Sequence, residues 1–182
     1  MKHYIEIHLN YKQPIMATWA KVYTQLHIGI VESNNNIAVS FPKYNGKSLG
    51  NIIRLFGDHD ILMNFDVASR LSDLSEVVSW SEILEVPEEH EYVIFARVQK
   101  KMNPTGLIKR RARRHNLTFQ EAAIKYSGYK CRDTNNYPFI ELYSYSSRKS
   151  FKLNVKKKVA EYAVNNGFST YGLSSVSTVP DF

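Results

Sequence analysis

The sequence predicts an α+β protein with an N-terminal ferredoxin-like domain and a C-terminal domain that carries an arginine-rich helix and a β-hairpin. Short segments with alternating apolar and polar residues indicate strands, and longer segments with apolar residues at helical spacing indicate helices. In the N-terminal half these segments follow the order strand, helix, strand, strand, helix, strand. That order is typical of a ferredoxin-like unit.

The first strand and the first helix have the clearest patterns. Residues 4–9 alternate between apolar and polar side chains, which predicts a half-buried strand. After Pro14 a helix is expected, ending before residues 32–36. Its apolar stripe consists of Met16, Trp19, Tyr23, Leu26 and Ile30.

Three more strands and a helical segment complete the predicted N-terminal domain. The strands are expected at residues 37–41, 52–56 and 83–86. Residues 58–81 are mostly helical in pattern, in one or two pieces. The acidic, apolar-poor segment that follows predicts a domain boundary, which divides the chain into domains 1–90 and 91–182.

The second domain is expected to contain a helix pair. A strand at residues 92–99 leads into a helix that starts at Asn103, since asparagine caps free amides and a following proline fits the first helical position. Thr118 and Glu121 form the pattern of a capping box for a second helix, which should end near Gly128.

A hairpin is predicted near the end of the chain. Its strands, residues 139–145 and 150–155, flank a polar turn. An Asn-Asn-Gly turn at residues 165–167 precedes an expected terminal strand.

Residues 97–115 concentrate the positive charge of the chain. This stretch has eight Lys or Arg residues and no acid, so the rest of a chain with net charge +7 carries −1. At helical spacing, Lys109 lies above Arg113 and Arg110 above Arg114. Such like-charge pairs destabilise an isolated helix and are favoured when phosphates neutralise them. The stretch therefore predicts a nucleic-acid surface, the alternative being a solvated charged face.

Several other classes of protein are excluded or disfavoured. Cys131 is the single cysteine, which excludes an internal disulfide and fits a reducing cytoplasm. The sequence has no membrane-length apolar run, no glycine-rich phosphate loop and no plausible set of metal ligands. We therefore expect no membrane association, no cofactor and metal-free catalysis, if any.

His27 is the most interesting of the histidines, because it falls at the border of the buried stripe of its helix. A proton-transfer group needs such a half-exposed position, although a histidine packed at a helix edge has the same pattern. Ser144 offers a hydroxyl beside a cationic turn, and Phe151 and Tyr171 could stack on unpaired bases. Turn chemistry and core packing are the alternatives for these residues.

Short motifs occur in a fixed order along the chain: MKHYIEI at residues 1–7, Leu26-His27, VSFP at 39–42, RVQ at 97–99, the helix ending Arg113-Arg114-His115, SxS at 144–146, Phe151 and TYGLS at 170–174. Taken together, they resemble the type I-F CRISPR repeat endoribonuclease family, which processes precursor CRISPR RNA. The resemblance is colinear over nearly the whole chain.

The resemblance implies that the arginine helix lies in the major groove of an RNA hairpin. Arg97, Gln99 and Arg110 would then read base edges, and arginine bound to guanine through two hydrogen bonds fits this role. The other implied RNA-binding residues are Lys109, Arg113, Arg114, His115, Ser146 and Phe151.

The same resemblance implies the chemistry. Ser144 would position a ribose 2′-OH, His27 would move its proton and Tyr171 would orient the site. The products would be a 2′,3′-cyclic phosphate and a 5′-OH, formed without a metal. The enzyme would stay on its product and join the subunits of a Cascade-type effector complex.

The chain departs from the family pattern at Gly106, Lys109, Arg111 and Tyr143, which leaves the phosphate contacts and repeat preference open. A hairpin-binding subunit without catalytic activity is the main rival. A helix-turn-helix regulator is disfavoured, because the second helix of the predicted pair has Lys125 as its one basic residue.

Overall fold

The computed structural model describes most of the chain. The described residues are 1–10, 15–99, 104–128, 134, 136–144 and 147–182. By packing, the chain forms two compact units, residues 1–98 with 137–182 and residues 99–136. These units differ from the ranges 1–90 and 91–182, and that division into domains stays a prediction.

The first sheet has ferredoxin-like topology. Its strands are β1 (His3–Leu9), β2 (Ala38–Ser40), β3 (Ile52–Gly57) and β4 (Val78–Trp80), in the antiparallel order β2-β3-β1-β4. The helices are α1 (Ile15–Glu32), between β1 and β2, and α2 (His59–Phe65) and α3 (Val67–Leu71), between β3 and β4. The predicted fold class is therefore confirmed.

The fourth strand lies earlier than predicted. Helix α3 and the 3₁₀ turn after it end at Leu74, so the expectation of helix up to residue 81 is wrong. Val78 is buried and pairs with Leu9 in β1, which makes Val78–Trp80 the fourth strand. Residues 83–86, which were predicted to form the fourth strand, instead contain the short strand β5 (Leu84–Glu85), whose two exposed residues pair with the start of β1.

The second sheet belongs to the same compact unit. It contains β6 (Glu91–Val98), β7 (Phe139–Ser144), β8 (Lys149–Ala160) and β9 (Val179–Asp181), in the antiparallel order β7-β8-β6-β9. The predicted hairpin is β7 with β8. Strand β8 is longer than expected because its second half pairs with β6.

One hydrophobic core joins the two sheets and α1. Phe41, directly after β2, stacks on Tyr23 of α1 and meets Phe95 of β6 edge to face, with ring centroids 5.2 Å apart. Such edge-to-face packing is favourable for aromatic rings. Strands of both sheets are thus fixed relative to α1.

The second compact unit contains α4 (Thr105–His115) and α5 (Phe119–Ile124). Helix α4 ends where predicted, because Asn116 adopts a left-handed conformation that closes it. The predicted cap Asn103 lies outside the described residues. The Thr118–Glu121 capping box is confirmed, and α5 ends earlier than Gly128. None of the described helices is long and apolar enough to cross a membrane.

Candidate active site

A cavity of about 320 Å³ brings together the residues predicted to carry chemistry. His27 comes from α1, Ser144 from the end of β7, Phe151 from β8 and Tyr171 from a turn that follows β8. All four lie in the larger compact unit. His27 and Tyr171 thus line the same cavity although they are 144 residues apart in the sequence.

The imidazole of His27 has a defined orientation. Its Nδ1 lies 2.6 Å from the carbonyl oxygen of Thr170. A carbonyl can only accept a hydrogen bond, so Nδ1 donates and carries the proton. In the neutral ring Nε2 is then the acceptor. The ring also stacks on Tyr171, with centroids 4.4 Å apart and planes 12° from parallel.

The turn at residues 169–172 is held by hydrogen bonds to its successive carbonyl groups. The Tyr23 hydroxyl donates to the carbonyl of Tyr171 at 2.8 Å, next to the carbonyl that His27 binds. The amide of Val39 in β2 donates to the carbonyl of Gly172 at 2.8 Å. Gly172 has φ +67°, and a Cβ there would lie 2.4 Å from Cγ2 of Val39. This position therefore requires glycine.

Tyr23 is a site residue that sequence reasoning placed only in the core. It is fully buried, and burial raises the pKa of its phenol well above the ordinary value, so the hydroxyl stays a donor. Tyr23 precedes His27 by four residues, which puts both on one face of α1. That spacing was the available signal, but the acceptor of Tyr23 lies 148 residues away in sequence.

Arg97 lies beside the same aromatic rings. Its guanidinium carbon is 5.1 Å from the ring centroid of Tyr171 and 5.4 Å from that of Phe151. The side chain is exposed on β6. A cation on two aromatic faces gains about 0.5–1 kcal/mol per contact at exposed sites. Arg97 is therefore preorganised at the edge of the cavity.

Ser144 is the last residue of β7 and half-buried. Its Oγ accepts a hydrogen bond from the amide of Ser147 at 3.3 Å, which ties it to the hairpin turn. Ser146, the other serine of the predicted pair, lies outside the described residues. The structure thus brings His27, Ser144 and Tyr171 to one cavity, while their catalytic roles stay predictions.

The cationic face of α4 is solvent-exposed. Lys109, Arg110, Arg113 and Arg114 are exposed, and the three arginines line a cavity of about 380 Å³. No ion pair involving them occurs within the described part of the chain. The charges of this face are therefore available to an anionic ligand.

The remaining predicted contacts differ in exposure. His115 and Gln99 are exposed, whereas Arg111 is half-buried and Ile108 is buried. Gly106 has open space where a side chain would begin, so a longer residue would fit there. Whether any of these residues touches RNA stays a prediction.

Comparison with known proteins identifies the family. The model of the family described as CRISPR-associated protein (Cas_Csy4) matches residues 4–182. The chain belongs to this family. The resemblance predicted from the motifs is therefore confirmed.

Two curated relatives of the Cas6/Csy4 type match over their full length and the full length of this chain. A CRISPR-associated endonuclease Cas6/Csy4 of Escherichia coli (strain UTI89 / UPEC) is 30% identical over 189 residues. The protein of that name from Pseudomonas aeruginosa (strain UCBPP-PA14) is 30% identical over 188 residues.

Proposed function

We propose that the protein is a metal-independent endoribonuclease that cuts precursor CRISPR RNA at the base of the repeat hairpin. The observation that carries the proposal is the cavity in which His27, with Nδ1 bound to a carbonyl, lies with Ser144 and Tyr171. The names of the two Cas6/Csy4 relatives, both CRISPR-associated endonucleases, support the reaction class.

The cut is a transesterification within the RNA. Nε2 of neutral His27 takes the proton of a ribose 2′-OH, and the 2′ oxygen attacks the adjacent phosphorus. The bond from phosphorus to the 5′ oxygen breaks, and that oxygen takes the proton from protonated His27 and leaves as a 5′-OH, which returns His27 to its neutral form. The other product ends in a 2′,3′-cyclic phosphate. Ser144 holds the 2′-OH in line, and no electrons or water are required.

The lining of the cavity supports chemistry without a metal. Among the described residues that line it, none is a carboxylate, and carboxylates are the ligands that hard cations prefer. The proposal is tested by incubating the repeat RNA with the protein in EDTA. We expect full cleavage and cyclic-phosphate ends. Binding of the hairpin without cleavage, with or without added Mg²⁺, would favour the alternative of a purely hairpin-binding subunit.

The exposed cations supply the RNA-binding part of the proposal. Arg113, Arg114 and Lys109 bind phosphates of the stem, and Arg110 reads a base edge. Arg97 and Gln99 contact bases at the bottom of the stem. His115, Ser146 and Phe151 complete the contacts. The processed RNA then stays bound and carries the protein into a Cascade-type effector complex.

Tyr23→Phe is expected to slow cleavage about five-fold at saturating RNA without changing hairpin affinity. The change removes the donor that fixes the Tyr171 carbonyl, and one hydrogen bond is worth about 1 kcal/mol. Tyr23 is therefore a positioning residue, and the split between turnover and binding separates this role from a loss of folding.

Tyr44→Phe is the matched control for that variant. The hydroxyl of Tyr44 also donates to a backbone carbonyl, that of Val155. Tyr44 does not line the cavity of the candidate active site, and its hydrogen bond is not made to the turn at residues 169–172. We expect a similar loss of stability and an unchanged cleavage rate. Equal rates for the two variants would show that Tyr23 acts on stability alone.

The double variant Arg113→Ala, Arg114→Ala is expected to bind the hairpin with an affinity that depends less on salt concentration. If each arginine neutralises a phosphate, the slope of log affinity against log salt falls by about 0.7–0.9 per residue. All stem sequences should be affected alike, since phosphates carry no sequence. Affinity is measured from low to moderate salt.

Two comparisons sharpen this measurement. Lys43→Ala with Lys47→Ala removes the same charge from an exposed loop and should leave the slope unchanged. Arg110→Ala should instead relax discrimination between stem sequences. An unaltered slope in the arginine double variant would remove Arg113 and Arg114 from the phosphate contacts.

A further inference from the structure

A second cavity of about 460 Å³ adjoins the candidate active site. The two cavities share the side chains of Thr24, Leu142 and Tyr143. The second cavity is lined by α1, by α3 and the 3₁₀ turn after it, and by the hairpin of β7 and β8. Its other lining residues are Ala20, Lys21, Gln25, Arg70, Asp73, Leu74, Glu141 and Ser150. None of them has a role in the proposed chemistry.

The charges of this cavity do not suit a phosphate. Arg70 is already engaged, since its guanidinium pairs with Glu32 at 2.5 Å and donates to the carbonyl of Phe65 at 2.6 Å. Lys21 faces a lining that also contains the carboxylates of Asp73 and Glu141. A dianionic or monoanionic group would meet repulsion there.

The same lining suits a neutral, polar ring. Lys21 and Gln25 offer donors, Glu141 and Asp73 offer acceptors, and a nucleobase edge carries both kinds of group. The aromatic ring of Tyr143 is 50% exposed and lies at the junction of the two cavities. Bases of any sequence stack on such rings.

We propose that this cavity binds the base of the nucleotide on the 3′ side of the cut, the side that leaves with the 5′-OH. The inference rests on the proposed function. Arg97, assigned there to the base of the stem, and Phe151, another of the assigned RNA contacts, flank Tyr171 and do not line the second cavity. The RNA strand extends in two directions from the reacting phosphate. The stem lies in one direction, so the nucleotide in the other direction is placed beyond Tyr143, in the second cavity.

Binding of three uncleavable hairpins tests the proposal. Each carries a 2′-deoxy nucleotide before the cut; one ends at the cut, one continues by a single nucleotide, and one continues by a single abasic nucleotide. The full nucleotide should improve affinity about five-fold, the lower range for a base stacked on an aromatic side chain. The abasic nucleotide, which keeps the phosphate, should add little.

Two variants locate the gain. Ala20→Phe fills the cavity from α1, and Gln25→Ala removes a donor. Both should lose most of the gain from the extra base and keep the affinity for the hairpin that ends at the cut. Ala17→Phe places the same ring on an exposed position of α1 that lines neither cavity and should keep the gain.

The outcomes separate the subsite from the reaction. Equal affinity for the full and abasic extensions, or an undiminished gain in Ala20→Phe, overturns the subsite. Cleavage of the all-ribose hairpin by the unaltered protein reports on the proposed function independently. A protein that cleaves but shows no gain from the base retains the function and loses the subsite.

Discussion

His27→Ala is expected to lower the rate of repeat cleavage by about 10²- to 10⁴-fold, the usual contribution of a general acid or base. Hairpin affinity should stay nearly unchanged, because His27 would act on a proton and not on the stem. The hydrogen bond from Nδ1 to Thr170 fixes which nitrogen performs the transfer. Single-turnover cleavage and equilibrium binding are measured on the same RNA.

His90→Ala is the matched control. Nδ1 of His90 also lies near a backbone carbonyl, that of Pro87 at 2.7 Å, but His90 lines none of the cavities described above. The control should cleave at the normal rate. If His27→Ala lost binding as strongly as cleavage, the assignment of His27 to proton transfer would be wrong.

An RNA with a 2′-deoxy nucleotide immediately before the cut is expected to bind with normal affinity and to remain intact. The substitution removes the oxygen that attacks phosphorus, so no cyclic phosphate can form. We expect unaltered affinity because the proposed stem contacts are made to other nucleotides. Gel analysis after prolonged incubation, beside the all-ribose RNA, measures the difference.

Placing the deoxy nucleotide one position further along controls for a general effect of the sugar. That RNA keeps the attacking oxygen and should be cut normally. Cleavage of the first deoxy substrate would mean that water attacks the phosphorus, and the transesterification would be excluded.

The N-terminal topology could be predicted because its periodic segments are local signals. Alternation in β1 and the apolar stripe of α1 specify the elements and their buried faces directly. The fourth strand could not be located this way. Val78–Trp80 is three residues long, and its assignment depends on pairing with β1, which is a tertiary contact.

The candidate site shows the same limit. His27 was accessible to sequence reasoning as a histidine at the edge of a stripe, and Ser144, Phe151 and Tyr171 as hydroxyl and aromatic residues. Their presence in one cavity depends on α1 packing beside β7 and on the turn at residues 169–172. The roles of Tyr23 and Gly172 depend on distant backbone partners, which no local pattern reveals.

The hydrogen bond from the amide of Val39 to the carbonyl of Gly172 ties the turn beside His27 to a fully buried residue of the core. Val39 also pairs with Leu55, so the turn continues the first sheet outward. Ser144, by contrast, is at the end of a hairpin strand. The proposed proton acceptor, His27, is thus bonded to a turn that is itself bonded to the core, whereas the proposed substrate-aligning hydroxyl, that of Ser144, lies at the end of a hairpin strand. If both roles hold, we expect RNA binding to shift Ser144 more than His27.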